Sequence, residues 1–83
     1  GRAKRFAKIG GEMVSLSAVE IYLSRLWPEH PHAVGIIPDA KKGEQLVLIT
    51  EYPNASRDKI VEFVKKEGLS ELSIPKQVFI DTV

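Results

Sequence analysis

The chain contains no cysteine, so a disulfide framework, a thiolate zinc site and a cysteine nucleophile are all excluded. It has no apolar run near the ~20 residues of a membrane-spanning helix, and its N-terminus lacks the apolar stretch of a secretory signal. An excess of one charge is missing too. The net charge is +1, too mild a field to argue for nucleic acid. Internal repeats, low-complexity stretches and a linker are absent. What remains is 43% hydrophobic and 28% charged, the balance of a globular chain rather than a disordered one. At 83 residues it is one domain, and a chain this short buries only roughly 60% of its unfolded surface in a single small core. The absence of cysteine is compatible with the cytosol.

The ends carry an expectation of their own. The chain starts at Gly1 within a dense motif and stops at Val83 just after the apolar run Val78-Phe79-Ile80. It is expected to be a piece of a longer protein.

Local signals mark out six elements. Arg5 to Ile9 and Glu12 to Ser15 flank Gly10-Gly11, a pair that tolerates the positive φ angles of a two-residue hairpin turn. A helix there would lose about 2 kcal/mol to the two glycines. Ser17 and Glu20 have capping-box spacing, with Leu16 and Ile21 at the hydrophobic-staple positions of that cap. Val19, Tyr22, Leu23, Leu26 and Trp27 then make one apolar helical face, and Pro28 ends it. Ala33 to Ile37 and Gln45 to Thr50 read as strands joined by a charged loop, Pro38 to Glu44. The run Leu46-Val47-Leu48-Ile49 suits a central strand covered on both faces. A second helix spans about Ser56 to Glu67, with Ser56 as N-cap, Ile60, Phe63 and Val64 facing inward, and Gly68 at the C-terminal stop. Lys76 to Ile80 reads as a last strand. The fold class is α+β: a short β-hairpin followed by a small three-stranded sheet with two packed helices.

Most candidate constellations have ordinary explanations. His30-Pro31-His32 has no third ligand nearby to complete a metal site. Glu62, Glu67 and Glu71 are expected as solvated charges, Lys41-Lys42 as an exposed loop tip, and Tyr22 and Trp27 as core. Serine, histidine and aspartate are all present, but nothing resembles a nucleophile elbow. The N-terminus stands apart, with Arg2, Lys4, Arg5 and Lys8 preceding the first acid, Glu12. On a strand, Lys4 and Lys8 share a face roughly 13 Å apart, so the two cannot grip one phosphate. A basic patch of four phosphate contacts, in a stand-alone interaction or nucleic-acid module, would give a salt slope of about −3.6 on duplex DNA.

Residues 1–20, GRAKRFAKIGGEMVSLSAVE, resemble the motif that opens the small C-terminal domain of adenylate-forming enzymes: G-R-x-[KD]-x-x-I-K-x-x-G-x-x-[VI]-x-P-x-E-[VI]-E. Arg2, Lys4, Lys8, Gly11, Val14, Val19 and Glu20 match in register without gaps. Ala7, Leu16 and Ala18 depart from isoleucine, proline and glutamate, and these departures touch packing and the helix start. The wording RAKRFAKIGGEMVSL is similar to the branch of bifunctional acyl-acyl-carrier-protein synthetases and 2-acylglycerophosphoethanolamine acyltransferases.

The resemblance implies a mobile domain, residues 1–83, of a larger ligase. Such an enzyme makes an acyl-adenylate from a fatty acid and ATP, with magnesium, and passes the acyl group to a phosphopantetheine thiol of acyl carrier protein or CoA. Its partner within the chain would be a large N-terminal adenylation domain, and no nucleic acid is implied. In this family the residue matching Lys4 is the hinge, that matching Arg2 lies near the nucleotide, and that matching Lys8 reaches the active site for thioester formation. The residue matching Gly11 lines the pantetheine tunnel. The branch further implies lysophospholipid reacylation and a place at the cytoplasmic face of the inner membrane. The family's adenylation lysine, in a G-K motif beyond the last strand, has no counterpart here. The chain alone is therefore expected to bind no cofactor and to be inert.

Overall fold

The computed structural model describes residues 5–83. Arg2 and Lys4, and the roles the resemblance implies for them, lie outside the described residues. The element order is β1 (Phe6–Ile9), β2 (Glu12–Ser15), α1 (Leu16–Leu26), β3 (His32–Asp39), β4 (Gly43–Thr50), α2 (Arg57–Glu67), a 3-10 turn (Glu71–Ser73) and β5 (Gln77–Ile80). The α+β class and the succession of hairpin, helix, two strands, helix and strand are those the sequence predicts. The 3-10 turn is additional. It is short, and Ser70 caps it by accepting from the Leu72 amide.

The hairpin and the three-stranded sheet are one sheet. Strand β4 pairs antiparallel with β3 along its whole length, from Asp39↔Gly43 to His32↔Thr50. Its other edge is shared. Ile9 of β1 pairs with Gly43 at one end, and β5 runs parallel along residues 47–50 at the other. The parallel pairing of β4 and β5 needs a crossover, which α2 provides.

Both helices start at a serine side-chain cap. Helix α1 starts two residues earlier than the capping box predicts. Ser15, not Ser17, accepts the Ala18 amide at 3.2 Å. The staple fails with it, since Leu16 is buried while Ile21 is exposed. The reason is tertiary. The Leu16 amide donates to the Arg5 carbonyl, Arg5 bonds Ser17 and Glu20, and the second Glu20 oxygen accepts the Val34 amide. Glu20 is thereby turned toward the sheet instead of back to its own helix. Helix α2 keeps its predicted limits: Ser56 accepts the Lys59 amide, and Gly68 closes the helix at φ 68°, a conformation only glycine adopts freely.

One core holds the parts together. Ala7, Ile9 and Val14 from the hairpin meet Val19, Tyr22 and Leu23 of α1, Leu46 and Leu48 of β4, and Ile60 and Val64 of α2. The Tyr22 and Phe63 rings stack at 6.0 Å and tie the helices to each other. The Tyr22 hydroxyl donates to the Ser73 carbonyl, and burial pushes its pKa up. The expectation that β4 is covered on both faces is corrected in part. Leu46, Leu48 and Thr50 face this core, whereas Val47 is buried outside it, against Gly35, and Ile49 is only half-buried. Among the described residues both helices contribute to the single core on one side of β4, so the reverse face relies on its own strands for cover.

Candidate functional site

The hairpin is the element to which the sequence points. Gly10 and Gly11 have φ of 58° and 86°, the two successive positive values of a type I′ turn, whose twist matches that of the flanking strands. With that turn fixed, Phe6↔Ser15, Ala7↔Val14, Lys8↔Met13 and Ile9↔Glu12 pair in order. Alternation then decides the faces. Ala7 and Ile9 are buried, so Phe6 and Lys8 lie on the opposite, exposed face with Met13. Lys8 is thus displayed on a short strand beside two apolar side chains, Phe6 (50% exposed) and Met13 (64% exposed). Cross-strand neighbours stand about 5 Å apart. Among the described residues this face sets the Lys8 ammonium amid apolar surface, a combination suited to a ligand that joins an anion to a hydrocarbon. Gly11 sits at the turn, and a Cβ built on it meets nothing within 4 Å.

A second turn holds the hairpin in place. At the β3–β4 reversal Asp39 accepts the Lys41 and Lys42 amides with one oxygen and bonds Gln45 and the Lys76 ammonium with the other. The Lys42 and Lys41 amides and the Lys76 ammonium hold its carboxyl well below the usual carboxylate range. The turn so formed presents the Lys42 carbonyl to the Gly10 amide at 3.0 Å. It also presents the Glu44 carboxylate to the Lys8 amide at 2.6 Å. The charged loop Pro38 to Glu44 is therefore shorter than expected, since Pro38 and Asp39 continue β3, and Gly43 and Glu44 begin β4.

The other sequence candidates fall elsewhere. His32 contacts Thr50 through Nδ1 at 2.7 Å and the Trp27 carbonyl through Nε2 at 2.8 Å. Because the Trp27 carbonyl can only accept, Nε2–H donates to it, and in the neutral ring Nδ1 then accepts from the Thr50 hydroxyl. His32 is a structural clamp between the end of α1 and the sheet. His30 instead packs its ring on Tyr52. Among the described residues no three histidine, aspartate or glutamate side chains are grouped to hold a metal. Trp27 and Tyr22 are buried, as core residues should be, and Glu62, Glu67 and Glu71 are exposed. Of the basic cluster, Arg5 is engaged by Glu20 in an ion pair, which removes one cation from any simple phosphate-binding patch. The residues that sequence reasoning missed are Asp39 and Glu44. No local motif marks them, because Glu44 meets Lys8 across 36 positions of chain.

No family model matches the chain. Solved structures of longer chains share its fold. MbtA of Mycobacterium smegmatis superposes with a TM-score of 0.82 at 25% identity, over 98% of this chain and 16% of that one. A fatty acyl CoA synthetase of Mycobacterium tuberculosis gives 0.78 at 27% identity, over 95% and 16%. An AMP-forming acyl-CoA synthetase/AMP-acid ligase II-like protein of Dyadobacter fermentans gives 0.71 at 23% identity, over 100% and 25%. The chain spans a quarter or less of each. Its structural neighbours thus include AMP-forming acyl-CoA synthetases, of which its fold makes up a small part.

Proposed function

We propose that this chain is the mobile C-terminal domain of an AMP-forming acid–thiol ligase, and that the acid is a fatty acid. One observation carries the reading above all: Lys8 stands exposed on the apolar face of a hairpin whose sequence matches the motif opening such domains. The parent would join a carboxylate to the α-phosphate of ATP, releasing pyrophosphate. A thiolate would then attack the acyl carbon, forming the C–S bond while the bond to the AMP oxygen breaks. ATP supplies the leaving group and magnesium its charge balance. Among the described residues no three acidic or histidine side chains are grouped to hold that metal, and we assign its ligands to the remainder of the parent.

The task of Lys8 is electrostatic. Its ammonium offsets the charge that develops on the acyl oxygen and on departing AMP. Arg2 is assigned to the neighbourhood of the nucleotide, Lys4 to the hinge about which the domain swings, and Gly11 to the passage for the pantetheine arm. The thiol belongs to acyl carrier protein or CoA. The wording of the hairpin favours the carrier protein, together with reacylation of lysophospholipid at the cytoplasmic face of the inner membrane.

Lys8→Ala in the full-length enzyme tests the reading. Single-turnover assays should show acyl-adenylate accumulating while thioester formation falls by about a hundredfold, the loss typical of one electrostatic donor. Equal losses in both half-reactions would overturn the assignment of Lys8. Comparing holo-carrier protein with CoA in the same assay identifies the acceptor.

A further inference from the structure

Strand β1 has little of the sheet to hold it. Its pairing with β4 is limited to Ile9↔Gly43, and further along the same edge β5 takes over at Val47, with the Lys76 amide already bonded to the Leu46 carbonyl. The Lys8 amide points away from β2 toward this gap. Its acceptor there is the half-buried Glu44 carboxylate at 2.6 Å. A side chain therefore supplies the bond that a neighbouring strand's carbonyl would supply in a regular ladder. A hydrogen bond to an ionised acceptor is about twice as strong as a neutral one, and this one lands on the residue whose side chain is exposed for chemistry.

We infer that Glu44 is the positioning residue for Lys8: it fixes the strand at Lys8 through the main chain, so that the ammonium is delivered at a set height above the sheet. The bond is made to the Lys8 backbone amide, so it acts on the strand from which the side chain extends. The inference rests on the proposed role of Lys8. It adds a dependence of that role on the β3–β4 turn, where Asp39 holds the backbone that carries Lys42 and Glu44.

Two arms test it. The first is amide exchange on the chain itself, by NMR. Glu44→Ala should raise exchange at Lys8 about tenfold, the loss of roughly one hydrogen bond. Glu44→Gln, whose amide oxygen still accepts, should raise it far less. The second arm is half-reaction kinetics of the full-length enzyme. Glu44→Ala should slow thioester formation by about tenfold to a hundredfold, as a misplaced catalytic group does, with adenylation spared and Glu44→Gln largely rescuing. The double variant Lys8→Ala/Glu44→Ala should be no slower than Lys8→Ala alone, since Glu44 acts through Lys8. Unchanged Lys8 exchange in Glu44→Ala, equal behaviour of Ala and Gln, or multiplicative losses in the double variant would each overturn the inference. If the full-length wild type forms no acyl-adenylate, the ligase reading fails, and the exchange arm still decides whether Glu44 holds Lys8.

Discussion

At the scale of single residues, acids do the organising. Asp39 joins the β3–β4 turn to Lys76 just ahead of β5, and its side chain is only 5% exposed. Because folding lowers its pKa, its contribution is complete above the unfolded value of about 3.9 and is lost as pH falls toward the folded one. Asp39→Asn should therefore be less stable than the parent at pH 7, and the gap should close as the pH is lowered below about 4. Urea midpoints from pH 7 to pH 2.5 check this. A gap that stays constant with pH would mean that the carboxylate's charge plays no part. None of this was legible locally. In the sequence Asp39 is one of several charges in a loop, and its partner Lys76 is 37 positions away.

Secondary elements are more readable, and the start of α1 shows where local pattern fails. The apolar stripes of α1 and α2 are short-range patterns, and so are the Gly10-Gly11 turn and the Ser56 and Gly68 caps. The start of α1 departs from the capping-box expectation because two serines compete. Ser15 lies at the end of a strand whose extended backbone already suits an N-cap, with φ −77° and ψ 121°. Ser17 is taken by Arg5. Ser15→Ala should accordingly cost about 1 kcal/mol of stability, in the usual range for a lost N-cap. Ser17→Ala should stay within about 0.5 kcal/mol, as an exposed substitution. Thermal or urea unfolding of the two variants side by side separates the caps, and the reverse order would restore the capping box.

For the whole molecule, the described residues share one continuous core, and under the proposed function the ATP and acid sites are assigned to the remainder of the parent. The chain on its own should unfold in one cooperative transition and show no fatty-acid-dependent ATP–pyrophosphate exchange. Calorimetry and an exchange assay with a heat-killed control check both halves, and exchange above that control would sink the reading of a dependent domain. What the sequence alone determined is whatever depends on neighbours along the chain: helical and strand periods, the two-glycine turn, the C-terminal glycine of α2, and the motif that makes Lys8 the candidate. What only the tertiary structure decided is which distant groups meet. Strand β4 offers one edge to two different strands, the hairpin has to find its place at the end of that edge, and Glu44 supplies the bond that the gap leaves open. Such a contact leaves no periodic trace, because its geometry exists only after the sheet has formed.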